Sequence, residues 1–185
     1  MKRFIAALLA GLTLFALVGC SAGSKADSAA PKDYSQILHD ARTDEENEYD
    51  MIFTKGEDGK FTAIDGYSAE YEAGQLDDEV RNLMMPLLNL EDDMYTDLAA
   101  SVSSMMVRSY AVAIVKPAEG KTQDVVDAMN AYVQSQQKSM EHYLEDQYQI
   151  ASAARVATVP TGEVVMVCCE DSDTVFENIK KALAA

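Results

Sequence analysis

The stretch that decides the fold is residues 109–115, SYAVAIV, in which large apolar side chains alternate with alanine. A run with no charge on either face is typical of a strand that is buried on both sides. The sequence KPAEG at 116–120 ends this strand, and apolar residues then recur at helical spacing over 122–144. This spacing predicts a long amphipathic helix of roughly 35 Å, since a helix rises about 1.5 Å per residue.

The chain after this helix predicts a hairpin and a last helix. Apolar runs at 150–159 and 163–169 flank Pro160-Thr161-Gly162, which is a turn sequence. Asp171-Ser172-Asp173 then supplies N-cap oxygens for a helix whose apolar residues recur up to Leu183. The order strand, helix, strand, strand, helix predicts an α+β fold, in which the long helix and the C-terminal helix cover one face of a mostly antiparallel sheet.

An acidic region with helices and a hairpin precedes this β-α-β-β-α core. Its predicted elements are a short helix at 34–42, a solvated loop or frayed helix end at 43–48, a hairpin of 49–54 and 60–64 around GEDG at 56–59, a helix from 77 to about 90 with a kink or break at Pro86, and a helix over 94–107. We expect a single domain over 34–185, made of the acidic part 34–97 and the core 98–185.

Charge limits the partners that the protein can have. The chain carries 15 basic and 31 acidic residues, for a net charge of −16, and 18 of the acids fall within 40–97 against four bases. Nucleic acids and anionic lipid headgroups both favour clustered lysine and arginine, so neither is expected as a partner. The apolar content of 48% is sufficient for a packed core.

The first twenty residues predict the location. Met1-Lys2-Arg3 precedes an uncharged apolar run over 4–18, which is too short for a confident span and fits a secretory signal. The run ends in Leu17-Val18-Gly19-Cys20, which resembles the lipobox of bacterial lipoproteins. This pattern predicts a signal peptide over 1–19, acylation of Cys20, and a flexible tether over 20–33. The alternative is an ordinary secretory signal with a coincidental cysteine.

Several segments of the core are similar to one family of bacterial lipoproteins. They are MMVR at 105–108, YAVAIVK at 110–116, QQKS at 136–139, YLEDQY at 143–148 and GEVVMVCC at 162–169. The family is the domain of unknown function number 4358, typical of Gram-positive anaerobes. The likeness covers about 90–184 and the lipobox, and the acidic hairpin region is a departure or an addition. It implies a lipid anchor on the extracytoplasmic face of the cell membrane of a Gram-positive bacterium, and it transfers no catalytic residue.

The histidines and serines give no recognisable catalytic motif. His142 with Glu145 and Asp146 resembles half a metal site on a helix, but the HExxH spacing is absent, and a solvated histidine at a helix end is the favoured interpretation. No motif of known spacing places His39 together with other metal-ligating or catalytic residues. The serines at 101, 103 and 104 lack the G-x-S-x-G turn of a nucleophile.

Acidic runs at 44–48 and 91–93 are the candidates for a cation site. Hard cations prefer several oxygen ligands, and Asp92 and Asp93 are the residues that we single out. Neither run has the alternating D-x-D-x-D-G order of ligands, so a solvating acidic surface is the favoured interpretation and no metal or cofactor is expected.

Sulfur and aromatic side chains allow further hypotheses. Cys168 and Cys169 are neighbours in a predicted strand, so their side chains point to opposite faces and we expect two free, buried thiols. The pairs Met84-Met85 and Met105-Met106 predict core packing rather than capture of copper. The tyrosines at 67, 71 and 95 mark a partner-binding surface or, taken singly, are ordinary half-buried residues.

The sequence therefore favours a lipid-anchored, non-catalytic binding or interaction module of the cell envelope, with an unidentified envelope protein or ligand as its partner. The alternative is an extracytoplasmic metal-dependent or acid-base enzyme that uses acidic residues of the first half. A deep pocket with converging Asp, Glu or His would favour the enzyme. An exposed apolar patch would favour the binding module.

Overall fold

The computed structural model of the protein describes residues 32–72 and 74–185. The predicted signal peptide, the lipobox with Cys20 and all of the tether except Lys32 and Asp33 lie outside the described residues. Within the described part of the chain, no helix is long and apolar enough to span a bilayer.

The helices and strands confirm the predicted α+β class. In chain order they are α1 (Tyr34–Ala41), α2 (Asp44–Tyr49), β1 (Ile52–Lys55), β2 (Phe61–Ile64), a 3-10 turn (Gly66–Glu70), α3 (Gln75–Glu79), a π turn (Val80–Met84), α4 (Met85–Leu88), β3 (Tyr95–Val102), β4 (Ala111–Pro117), α5 (Thr122–Met140), α6 (Glu145–Ser152), β5 (Arg155–Thr158), β6 (Val164–Cys168) and α7 (Ser172–Ala184).

The strands form one antiparallel sheet in the order β2-β1-β3-β4-β6-β5. Both predicted hairpins are confirmed, with β1 and β2 turning through 56–60 and β5 and β6 turning around Gly162. The acidic part of the chain joins the sheet through β1, where Phe53 lies opposite Ala100 of β3. Residues 34–97 and 98–185 therefore share one sheet.

The predicted helix over 94–107 is wrong, because this stretch supplies the central strand β3. Met94, Leu98, Val102 and Met105 recur at helical spacing, which is the basis of the prediction. The stretch instead pairs with β4, from Tyr95 opposite Pro117 to Val102 opposite Ala111. The side chains from Leu98 to Val102 are all buried. Burial on both faces of the sheet removes the alternation that would have marked a strand, and tertiary pairing overrides local propensity.

Helices cover both faces of the sheet, so the prediction of one covered face is also wrong. One core contains Val125 and Met129 of α5, the helical segment 80–88, and the side chains of Ala111, Ala113 and Val115. The other contains α1 and α7, together with Tyr110, Val112 and Ile114. Successive residues of β4 thus enter opposite cores, and the fold has three layers with the sheet in the middle.

Three smaller differences have local causes. Residues 145–152, which include the start of the predicted strand at 150–159, form α6, because Glu145 and Asp146 favour the positive end of a helix. Residues 44–49 form a helix with a capping box between Thr43 and Glu46, although none of its residues is buried. The helical path continues through Pro86 after a π turn, which is one way a chain accommodates a proline.

Candidate functional site

A cleft of about 840 Å³ opens beside the loop that joins β3 to β4. Its lining includes Val102 at the end of β3, and Ser109 and Tyr110 just before β4. Helix α2 and the segment around Tyr67 line another part, and Gln147 of α6 and the residues that follow β6 complete it. The cleft therefore gathers chain segments that lie far apart in the sequence.

The β3–β4 loop, residues 103–110, contributes apolar side chains to this cleft. Met105 and Val107 line it, and Val107 remains 45% exposed. Met106, between them, is 90% exposed and is not part of the lining. Of the two methionine pairs predicted to pack in the core, Met84-Met85 is buried as expected, whereas Met105-Met106 is exposed. The reason is that the second pair lies in a loop and not on a helix.

An ion pair between Arg108 and Asp50 lies in the cleft lining. The two guanidinium nitrogens Nη1 and Nη2 of Arg108 donate to the carboxylate of Asp50 at 2.6 and 2.8 Å. The guanidinium carbon also lies 4.4 Å from the ring centroid of Tyr110. A bidentate, stacked arginine has little freedom of orientation. This pair joins α2 to the start of β4.

Arg42, at the end of α1, is a buried residue that connects several segments next to the cleft. Its side chain is 0% exposed. Its hydrogen bonds go to Ser101 Oγ (2.9 Å), Tyr110 Oη (3.0 Å), Asn47 Oδ1 (3.0 and 2.7 Å), the Asp50 carbonyl (3.1 Å) and Asp65 Oδ2 (3.2 Å). A buried guanidinium is stable only when its donors are matched in this way. We refer to Arg42 and these five partners as the Arg42 network.

Two of the three tyrosines that the sequence suggested for a partner surface lie at the cleft. Tyr67, which is 54% exposed, and Tyr71 line it together with Tyr49 of α2. Tyr95 does not, since it is buried and its hydroxyl donates to Asp92 at 3.0 Å. We call Tyr49, Tyr67 and Tyr71 the tyrosine wall.

Ser109 gives the cleft a buried hydroxyl. Its backbone N–H donates to Gln147 Oε1 at 2.8 Å, which ties α6 to β4. Its side-chain Oγ is buried and has no hydrogen-bond partner among the described residues. Such a group costs free energy.

The two histidines singled out in the sequence lie outside the lining of the cleft. His142 lies in the turn after α5, its side chain is 88% exposed, and its Nε2 is 3.9 Å from Glu141 Oε2. Because α5 ends at Met140, Glu145 does not share a helix with His142. His39 bonds to Asp65 at 2.8 Å, and neither histidine lines the cleft.

Two of the three serines have structural partners, and Ser103 and Ser104 line the cleft. Ser101 accepts a hydrogen bond from Arg42, and Ser103 Oγ accepts one from the backbone N–H of Met105 at 3.1 Å. Both bonds fix the end of β3 and the start of the loop.

Asp92 and Asp93, the candidate cation ligands, each have a lysine partner. Asp92 Oδ1 is 2.8 Å from Lys55 Nζ, and this hydrogen bond lowers the pKa of Asp92. Asp93 Oδ2 is 3.2 Å from Lys121 Nζ. Over residues 32–72 and 74–185, no three His, Cys, Asp or Glu side chains are grouped as metal ligands would be. Each of the two aspartates is therefore the ion-pair partner of a lysine.

Cys168 and Cys169 are free and buried, as the strand pattern predicted. Cys168 belongs to the core under α5, and Cys169 to the core under α7. Burial raises the pKa of each thiol to about 12. Neither is a reactive thiolate at neutral pH.

The arrangement is suited to holding a ligand against aromatic and apolar side chains. Sequence reasoning missed Arg42, Asp50 and Arg108, which shape the cleft. The one available signal was that Arg42 is among only four bases within the acidic residues 40–97. An isolated arginine at the end of an amphipathic helix is a reasonable candidate for a buried ion pair.

Comparison with known proteins identifies a family. The family model described as Domain of unknown function (DUF4358) matches residues 67–169, which is more than half of the chain. The predicted family is thus confirmed, although the match begins earlier and ends earlier than the expected 90–184. The match includes Tyr67, Tyr71, the β3–β4 loop and Gln147. It excludes α2 and the β1–β2 hairpin of the acidic part.

Neither the curated proteins nor the solved structures contain a match to the chain. The chain belongs to the family described as Domain of unknown function (DUF4358).

Proposed function

We propose that this chain is a lipid-anchored, extracytoplasmic protein of the cell envelope that binds a ligand in the β3–β4 cleft and catalyses no reaction. The observation that carries the proposal is the composition of the cleft, a concave space of about 840 Å³ lined by aromatic, apolar and a few fixed polar groups. Ligand sites typically have this size and this mixture of side chains.

The fixed polar groups support binding because their positions are set before a ligand arrives. Arg108 is held by Asp50 and by the face of Tyr110. The Arg42 network holds the hydroxyl of Tyr110, because Arg42 Nη1 donates to it. A preorganised site loses less conformational entropy when it binds.

The experiment uses two neighbouring positions of the β3–β4 loop as a matched pair. In Val107→Trp the new ring fills the cleft, whereas in Met106→Trp it points away from the lining. Fractionated envelope extracts are screened by thermal shift against both variants and the wild type. We expect fractions that raise the Tm of the wild type and of Met106→Trp but not that of Val107→Trp. Equal protection of all three proteins would contradict a role for the cleft.

The anchor is tested separately from the cleft. Cys20→Ala is expected to abolish both labelling by fatty acid and cleavage by the lipoprotein signal peptidase, because the thioether forms on that sulfur. Wild-type protein that is secreted without lipid and with a different first residue would support the ordinary secretory signal instead.

The absence of catalysis is tested at His142. Because this imidazole is exposed and lies away from the cleft, His142→Ala is expected to leave the cellular phenotype unchanged. Met129→Asp serves as the loss-of-function control, since it places a charge in the core under α5. A folded, anchored His142→Ala protein that loses function would favour the enzyme.

A further inference from the structure

We infer, on the basis of the proposed function, that the cleft binds small organic ammonium compounds that carry an apolar body. The cationic nitrogen lies among the tyrosine wall and the surrounding carboxylates, and the apolar body packs against the β3–β4 loop. The ligand class follows from three features of the lining: its charge, its free aromatic faces and its size.

Carboxylates dominate the charge of the lining. Arg108 is the one basic residue there, and Asp50 neutralises it. The acidic residues that remain are Glu45, Glu46, Glu79, Glu170 and Asp171. A concave surface with one sign of charge focuses its field on the space inside, which attracts a cation and repels an anion.

The tyrosine wall adds aromatic faces that no cation of the described chain covers. The cation–π contacts of the described residues use the rings of Phe61, Tyr95, Tyr110 and Phe176. Partial burial, with the charges of Glu79 and Glu70, raises the pKa of Tyr71, as expected in a negative field. Tyrosine faces beside carboxylates are suited to recognising alkylammonium groups.

The size of the cleft favours a small ligand over a protein partner. Its volume of about 840 Å³ falls within the range of small-molecule sites. A stable protein partner would need about 800 Å² of surface on each side, which a concave cleft does not present. Met105 and Val107, which line the cleft and stay exposed, provide the surface for the apolar body.

The experiment titrates defined probes into the full-length chain in a non-ionic detergent, with binding followed by calorimetry. Choline is compared with 3,3-dimethylbutan-1-ol, which has the same shape and no charge. Benzyltrimethylammonium is compared with tetramethylammonium, which lacks the apolar body. We expect choline to bind and its neutral analogue not to bind, and we expect benzyltrimethylammonium to bind more tightly than tetramethylammonium.

Variants locate this binding at the tyrosine wall. Tyr67→Leu is expected to weaken binding of benzyltrimethylammonium about fivefold. Tyr143→Leu, at an exposed tyrosine outside the lining, is expected to have no effect. Both positions are on the surface, so both proteins should fold, which circular dichroism verifies.

The outcomes separate this inference from the proposed function. Equal binding of choline and its neutral analogue, or equal weakening by both tyrosine variants, would overturn the inference. It would also fall if a basic peptide bound and the small cations did not. If extract fractions protect the wild type but not Val107→Trp while the ammonium probes fail, the inference is wrong and the proposed function stands.

Discussion

Replacing Arg42 with alanine is expected to destabilise the protein by about 4 kcal/mol. The side chain is completely buried, and its partners include Ser101 and Tyr110, which are also buried. Alanine leaves these two oxygens without their Arg42 donor and removes one donor from the Asp65 carboxylate, which keeps its contact with His39. Each buried polar group that loses a partner costs about 1–3 kcal/mol. Non-additivity within one network brings the total to about 3–5 kcal/mol, the range for a broken buried ion pair.

The measurement is urea unfolding of the wild type and of three variants at one pH. Arg42→Lys keeps the charge but cannot reproduce the planar fork of donors, so we expect a loss of about 2 kcal/mol. Arg155→Ala is the exposed control, because Arg155 pairs with Asp173 and Glu177 at the surface and stacks on Phe176. Its loss is expected to be about 1 kcal/mol.

The comparison of these variants can refute the reasoning. If Arg42→Ala costs less than about 1.5 kcal/mol with an unchanged m-value, the buried network does not stabilise this end of the sheet. A loss for Arg155→Ala as large as that for Arg42→Ala would show that burial is not what sets the cost.

Three further predictions follow from other parts of the fold. Burial opposes the charge of Glu163, but hydrogen bonds, one of them donated by Tyr34 Oη at 2.9 Å, hold the pKa of Glu163 below its usual value. Its contribution to stability is therefore present above the unfolded pKa and is lost as pH falls through the folded pKa. The difference in unfolding free energy between wild type and Glu163→Gln should shrink from neutral pH to about pH 3, and a constant difference would contradict this. Cys168 and Cys169 should resist alkylation at pH 8 in the folded protein and react after unfolding, whereas a mass deficit in the purified protein would reveal a disulfide. Ala99→Leu should cost about 1–3 kcal/mol by overpacking the core under α7, and a neutral effect in thermal unfolding would argue against burial of β3 on this face.

The sequence by itself determined the elements whose patterns are local. Residues 109–115 alternate in size without charge, residues 122–140 have helical spacing, and GEDG at 56–59 is a hairpin turn. Each of these features depends on neighbours within a few residues. The order of such elements was sufficient to predict the α+β class. Because adjacent side chains of a strand point to opposite faces, the sequence was also sufficient to predict two separate buried thiols.

Only the tertiary structure decided the identity of β3. Apolar residues recur at helical spacing at Met94, Leu98, Val102 and Met105, so the local pattern favours a helix. The stretch becomes a central strand because β1 and β4 pair with it on its two sides and helices cover both faces. A segment buried on both faces carries no periodicity that distinguishes strand from helix.

The cleft was likewise decided by the tertiary structure. Its determinants include Arg108 and Asp50, which are 58 residues apart and form an ion pair at 2.6 Å. In the sequence, Asp50 is one acid among 18 in an acidic region, and the tyrosines at 67 and 71 cannot be distinguished from Tyr95. Burial and charge pairing depend on which distant side chains meet, and that is set by the order of strands in the sheet.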